Sequence, residues 1–137
     1  MAVDSPSTSA APRIPLGVLL LEDQITLRAP LRRYLEASGF EVVEADSVDE
    51  AFAQLRRAMI ACAILDVRMP NNRSGLEVLQ FIRLNEYWHD MPVIILTGAH
   101  LTEEEEEIIR RHRAYVFYKP HGYIEIVERL NKMLRHT

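Results

Sequence analysis

Three carboxylates, a hydroxyl and an ammonium stand at the ends of four short apolar runs in this chain. Val18 to Leu21 runs into Glu22 and Asp23, Ile64 and Leu65 into Asp66, Ile94 to Leu96 into Thr97, and Tyr115 to Tyr118 into Lys119. Runs of this kind read as buried parallel strands, whose carboxyl ends share one edge of a sheet. Ligands of open α/β sheets sit outside that edge, where the strand order reverses. Carboxylates held close together repel, and each raises its neighbour's pKa unless positive charge compensates. A Mg2+ ion would do so, being a hard cation that prefers oxygen ligands and keeps several waters. Lys119 would add a further positive charge, and Thr97 a hydroxyl that can donate to an anion.

Those parts suit phosphoryl transfer, where catalysis is mostly positioning and electrostatic stabilisation of charge spread over equatorial oxygens. A carboxylate can serve as the nucleophile and gives an aspartyl-phosphate. Asp66 is the best-placed candidate, because Val67-Arg68-Met69-Pro70 follows it as a turn that projects it into the crevice. Asp23, with Glu22 beside it, is better placed to hold metal. His121 stands just after Lys119-Pro120; no general base is obvious, and a carboxylate nucleophile needs none.

The elements that must position these residues alternate along the chain. Met1 to Pro15 is rich in Ala, Ser and Pro and reads as a flexible tail. Gly17–Leu21 is a first strand. A helix from about Gln24 to Ser38 follows, with Ile25, Leu27, Leu31, Tyr34 and Leu35 as its apolar face and Gly39 as its left-handed terminator. Pro30 inside it predicts a kink or a displaced start. Phe40–Ala45 alternates Val and Glu like an edge strand, and Ser47 to Glu50 is a capping box for a helix reaching about Met59. Ala61–Leu65 is the third strand, 69–75 a loop, and 76–87 a helix with Leu76, Val78, Leu79, Ile82 and Leu84 inward. Pro92–Leu96 is the fourth strand. Thr102 to Glu105 caps a helix to about His112, Tyr115–Tyr118 is the fifth strand, and Tyr123–Leu134 the last helix. The sum is an α/β chain of (βα)5 type, with a mostly parallel sheet covered by helices on both faces.

A chain of 137 residues bounds this to one domain, 16–137, behind the tail. The net charge of −4 argues against direct nucleic-acid binding, and the arginine pairs at 56–57 and 110–111 are too separated for such a surface. Cys62 sits in an apolar run and reads as a buried small hydrophobe. The five histidines show no zinc spacing. No stretch reaches membrane-spanning length and no secretory signal opens the chain, so the expectation is cytoplasmic, with no membrane partner. Glu103 to Glu107 reads as the acidic first turn of a helix, with Glu106–Arg110 and Glu107–Arg111 as pairs. His121 reads as solvent-facing, and Tyr87-Trp88 as a helix end packed over the core.

Glu22-Asp23, Asp66 within Leu65-Asp66-Val67-Arg68-Met69-Pro70, Thr97-Gly98 and Lys119-Pro120 resemble the receiver domain of two-component response regulators, in the family's order and near its spacing. The resemblance spans roughly Leu16 to Leu134. It implies a flavodoxin-like, doubly wound sheet of five parallel strands in the order 2-1-3-4-5. It also implies Asp66 as phosphoacceptor, taking its phosphoryl group from a phosphohistidine on a sensor histidine kinase or a His-containing phosphotransfer protein. Glu22, Asp23, Asp66 and the backbone carbonyl of Arg68 would serve Mg2+. Thr97 would contact the phosphoryl group and move on activation, while Lys119 would bind one of its oxygens. The chain departs from the pattern in two places: the loop between Pro70 and Gly75 is one residue longer than usual, and Val116 stands at the switch-aromatic position.

The resulting expectation is a signalling receiver that promotes only its own phosphorylation and hydrolysis and is not otherwise an enzyme. The chain ends close after the last helix, so output would be a contact with an unidentified downstream protein or onward phosphotransfer. A piece of a longer regulator would look the same. Receivers often dimerise through their fourth and fifth helices, so a homodimer is a further expectation. The alternatives are a receiver-like interaction module that works without phosphorylation, and a small phosphatase of another α/β family. The phosphatase lacks a second acid placed as a leaving-group donor.

Overall fold

The computed structural model describes residues 14–98, 100–119 and 122–135. The tail expected over Met1 to Pro15 lies almost wholly outside these residues, and so does His121. Five parallel strands form the sheet: β1 (Gly17–Leu21), β2 (Glu41–Ala45), β3 (Cys62–Leu65), β6 (Val93–Thr97) and β7 (Tyr115–Tyr118). Their order is β2-β1-β3-β6-β7, which is 2-1-3-4-5 when the sheet strands are counted alone. The helices are α1 (Ile25–Ala37), α2 (Val48–Arg57), α3 (Gly75–Leu84), α4 (Glu103–Arg111) and α5 (Tyr123–Arg135).

Alternation along the strands divides the core into two layers. Leu19, Leu21, Ala63, Leu65, Val93 and Ile95 face α2, α3 and α4, where Val48, Leu55, Leu79, Ile82 and Ile109 meet them. Val18, Leu20, Cys62, Ile64, Ile94 and Leu96 face α1 and α5, against Leu31, Leu35, Ile126 and Leu130. Both faces of β1, β3 and β6 are therefore apolar, which is why those strands read as continuous runs. Each fully buried Leu or Ile contributes about 1.5–3 kcal/mol, so the strand ends that carry Glu22, Asp66 and Thr97 are rigidly held. Cys62 is fully buried, and burial pushes its thiol up to about 12.

Several local expectations are corrected. α1 starts at Ile25 and continues through Pro30, so the proline does not displace its start. Ile25 and Leu27 are exposed, and only Leu31 and Leu35 of the expected face are buried. α2 ends at Arg57 and α3 at Leu84, short of Met59 and Tyr87, with Leu84 and Tyr87 exposed and Trp88 packed on Phe81. Asn85 leaves the helical region at ψ 129°, which stops α3. Ser47 caps α2 by accepting from the Glu50 amide, while the Glu50 carboxylate pairs with Arg57.

The expected loop over 69–75 contains a small antiparallel hairpin, β4 (Arg68–Met69) with β5 (Arg73–Ser74). Asn71 and Asn72 both take positive φ, at 63° and 59°. Two such central residues make the primed turn that matches strand twist, and asparagine tolerates that conformation best after glycine. The extra loop residue is thus absorbed in a tight turn.

Candidate functional site

The site is built from the ends of β1, β3, β6 and β7. β1 delivers Glu22 and Asp23 and β3 delivers Asp66. β1 pairs with β3 in register through Leu21 and Leu65, so the acids that follow those residues emerge side by side. The amide of Asp66 donates to the Leu21 carbonyl at 3.1 Å, and that of Glu22 to Ala45 at 3.1 Å, which extends the ladder to both acids. β6 ends in Thr97, whose carbonyl accepts from the Lys119 amide at 2.9 Å, so β7 brings Lys119 to the same edge.

Glu22 and Asp66 are 5% and 8% exposed, Thr97 is fully buried, and Asp23 is exposed. One oxygen from each of Glu22, Asp23 and Asp66 lies within 4.8 Å of the others. The Lys119 ammonium donates to Glu22 Oε1 at 2.5 Å and to Asp66 Oδ2 at 2.9 Å. The remaining Asp66 oxygen, Oδ1, accepts from the Val67 amide at 2.7 Å, and Glu22 Oε2 accepts from the Gln24 amide at 3.1 Å. Burial pushes the Glu22 carboxyl above its ordinary value and the nearby Asp66 adds to that, against the opposing hydrogen bond from Lys119. Burial disfavours the Lys119 ammonium, but its bonds to Glu22 and Asp66 outweigh this and the net shift is upward.

Lys119 pairs with two of the three acids, Glu22 and Asp66, so the carboxylates gathered here outnumber the ammonium beside them. Oxygen donors with that residual charge fit a hard divalent cation such as Mg2+. A cavity of about 310 Å3 opens beside them between α1 and α5, walled by Leu27, Leu31, Leu96 and Tyr123 and reaching Glu22, Asp66 and Lys119.

The β3–α3 connection is held closely against the site. Gly75 begins α3, and a Cβ there would lie 1.8 Å from the Asp66 carbonyl oxygen. Its amide donates to the Val67 carbonyl at 2.9 Å. Ser74 and Glu77 form a reciprocal capping box at the same helix start. That pair is legible as Ser-x-x-Glu, within a segment whose composition otherwise reads as loop.

Arg68 is where the structure adds most. Its side chain crosses to α4, donating through both Nη atoms to Glu105, with Nη2 to Oε1 at 2.9 Å, and to the His100 carbonyl at 2.8 Å. Glu105 is expected from the sequence as the capping-box acid in the first turn of α4, a role it fills with Thr102. Its pairing with a residue 37 positions away carries no local signal. Of the pairs expected on α4, Glu107–Arg111 is present, and Glu107 also pairs with Arg110. Glu106–Arg110 does not occur among the ion pairs of the described residues. Val116 pairs with Ile95 across the sheet and lines a cavity of about 290 Å3 with Leu101, Ile109, Ala114 and Tyr118.

Comparison with known proteins places these features in a family context. Residues 18–131 match the response regulator receiver domain family. A probable transcriptional regulator, ycf29 of Cyanophora paradoxa, is 33% identical over 89% of this chain and 58% of its own length. The phosphate regulon transcriptional regulatory protein PhoB of Escherichia coli K12 is 27% identical over 86% of this chain and 51% of its own length. The chain thus spans about half the length of the curated relatives it matches. Among solved structures, the Vibrio cholerae chemotaxis protein CheY4 superposes with a TM-score of 0.78 at 25% identity, covering 88% of this chain and 99% of its own. A response regulator receiver protein from Pseudomonas putida gives 0.77 at 28% identity, with 88% and 99% covered.

Proposed function

This chain belongs to the response regulator receiver domain family, and from that premise we propose that it is a phosphorylatable receiver in which Asp66 accepts a phosphoryl group with the aid of Mg2+. The observation that carries the reading is the convergence of Glu22, Asp23 and Asp66 within 4.8 Å, with the Lys119 ammonium bridging Glu22 and Asp66. The donor is a phosphohistidine on a sensor histidine kinase or a His-containing phosphotransfer protein. An oxygen of Asp66 attacks phosphorus, the P–N bond breaks, and the electron pair leaves on the imidazole. Glu22, Asp23, Asp66 and the Arg68 carbonyl would hold the cation, which neutralises charge on the phosphoryl oxygens when bound.

The rest falls to the chain's own groups. Lys119, already 2.9 Å from Asp66 Oδ2, follows the new negative charge onto the phosphoryl group. Thr97 lies at the end of β6, one strand from Asp66, where its hydroxyl would reach the same oxygens. Burial of Asp66 limits attack by water, so the phosphorylated state lasts long enough to be read. The chain turns over no other substrate, and its output is a contact with a downstream protein. Among the described residues no helix is long and apolar enough to cross a membrane, which fits a cytoplasmic signalling role.

Val116 at the switch position favours a second reading, an interaction module that works without phosphorylation. Intact-mass measurement after incubation with acetyl phosphate and Mg2+ separates the two. The first reading expects one phosphoryl adduct on the wild type, absent without Mg2+. An unmodified wild-type protein supports the second.

A further inference from the structure

The Arg68 side chain is anchored at three places on two elements beyond its own. Its guanidinium meets both oxygens of Glu105 and the carbonyl of His100. His100 lies in the β6–α4 connection, three residues after Thr97, and Glu105 lies in the first turn of α4. The backbone of Arg68 is fixed from the other side, because it pairs with Ser74 across the β4–β5 hairpin. The planar fork of an arginine meeting a carboxylate through two bonds holds orientation as well as distance. A partly exposed pair of this kind contributes little to overall stability, so its consequence is geometric.

Arg68 is also the residue whose backbone carbonyl would face the cation, two positions after Asp66. The guanidinium's hold on Glu105 and the His100 carbonyl ties Arg68 to the start of α4, which gives a physical link between that peptide and the helix. We propose that Glu105 is a positioning residue for the cation site, acting through Arg68, and that this ion pair carries occupancy of the site to α4. The inference rests on the reading of Asp66 as a Mg2+-assisted phosphoacceptor. It supplies a route to α4 in a chain whose switch-aromatic position holds Val116. Coupling of this kind runs both ways: if the cation and phosphoryl group shift α4, a substitution that changes the position of α4 changes cation affinity in turn.

Glu105 has a second task, accepting from the Thr102 amide at 2.9 Å in the capping box of α4. Glutamine can keep that cap, since either residue type serves at the position, but it cannot keep the charged pair. Glu105→Gln therefore separates the two tasks, and Thr102→Ala removes the cap while leaving the pair. The measurements are Mg2+ affinity by titration calorimetry, and amide exchange in the first turn of α4 with and without Mg2+ and beryllofluoride, a phosphoryl mimic.

Glu105→Gln is expected to weaken Mg2+ binding on the order of tenfold and to blunt the α4 exchange response. Thr102→Ala and Glu106→Gln should leave Mg2+ affinity within twofold of wild type. In an Arg68→Ala background, Glu105→Gln should have no further effect on Mg2+. Unchanged Mg2+ affinity in Glu105→Gln, an equal loss in Thr102→Ala, or an effect that persists without Arg68 would overturn the proposal. If the wild type binds neither Mg2+ nor beryllofluoride, the receiver reading itself fails. Normal wild-type binding with an indifferent Glu105→Gln variant removes the coupling alone.

Discussion

Replacing Lys119 by methionine keeps most of the stem and removes the one ammonium that bridges Glu22 and Asp66. At an effective dielectric of about 20, unit charges roughly 3 Å apart attract by about 5 kcal/mol, and Lys119 makes two such contacts at 2.5 and 2.9 Å. Desolvation of the ammonium offsets much of that. Removing one partner of a buried pair costs about 3–5 kcal/mol in practice. The Lys119 side chain keeps 20% of its exposure, which argues for the lower end, about 3 kcal/mol. In a domain of this size that lowers Tm by about 10 °C. Mg2+ at a hundred times its Kd should stabilise the wild type by about 2.7 kcal/mol. It should stabilise Lys119→Met by more, because there it meets acids with no other positive neighbour. Thermal denaturation of both proteins, with EDTA and with saturating Mg2+, is the assay. The gap should be wide in EDTA and should narrow in Mg2+. An apo variant as stable as the wild type, or a gap that Mg2+ leaves unchanged, would refute the electrostatic account of the crevice.

Glu22 predicts a pH dependence. Its folded pKa is raised above the ordinary 4.5 by burial, so its favourable contribution to stability is present below 4.5 and lost as pH rises through the raised value. The proton and the cation compete for the same carboxylate. Mg2+ affinity should therefore fall on acidification while the pH is still above 4.5, and a flat affinity from neutral pH down to 4.5 would count against it. Gly75→Ala should weaken Mg2+ binding and cost several kcal/mol, on the order of other strained core substitutions, because its Cβ would meet the Asp66 carbonyl at 1.8 Å. Calorimetry and urea denaturation would show it, and a variant indistinguishable from wild type would mean that α3 is not pressed on the site. Cys62 should resist alkylation by iodoacetamide in the native state and react in urea, given its complete burial and a thiol pushed up to about 12. Rapid native labelling would contradict that.

The strands were legible because both faces of β1, β3 and β6 are covered, which removes alternation and leaves continuous apolar runs with abrupt polar ends. Those ends are the site, so fold and candidate site were read from one signal. Helix ends were less legible. α3 stops at Leu84 through the extended backbone of Asn85, although Leu84, Tyr87 and Trp88 continue an apolar pattern. Ile25 and Leu27 look like core positions by spacing but are exposed, Leu27 where α1 borders the cavity beside the acids. The β4–β5 hairpin was missed because two consecutive asparagines signal only a turn, and its strands are two residues each. Arg68–Glu105 was not legible at all. No periodicity connects residues 37 apart, and only the fold, which sets α4 beside α3 and β7, brings them together.

Phosphorylation of Asp66 can be read directly at the residue. Borohydride reduces an acyl phosphate on aspartate to homoserine, which marks the modified position permanently. The protein would be treated with acetyl phosphate and Mg2+, reduced, digested and mapped by mass spectrometry. Homoserine is expected at position 66 and at no other acid, lost when Mg2+ is replaced by EDTA, with no labelled peptide from Asp66→Asn. Homoserine at Asp23 or elsewhere in place of 66, or none in the wild type, would contradict it.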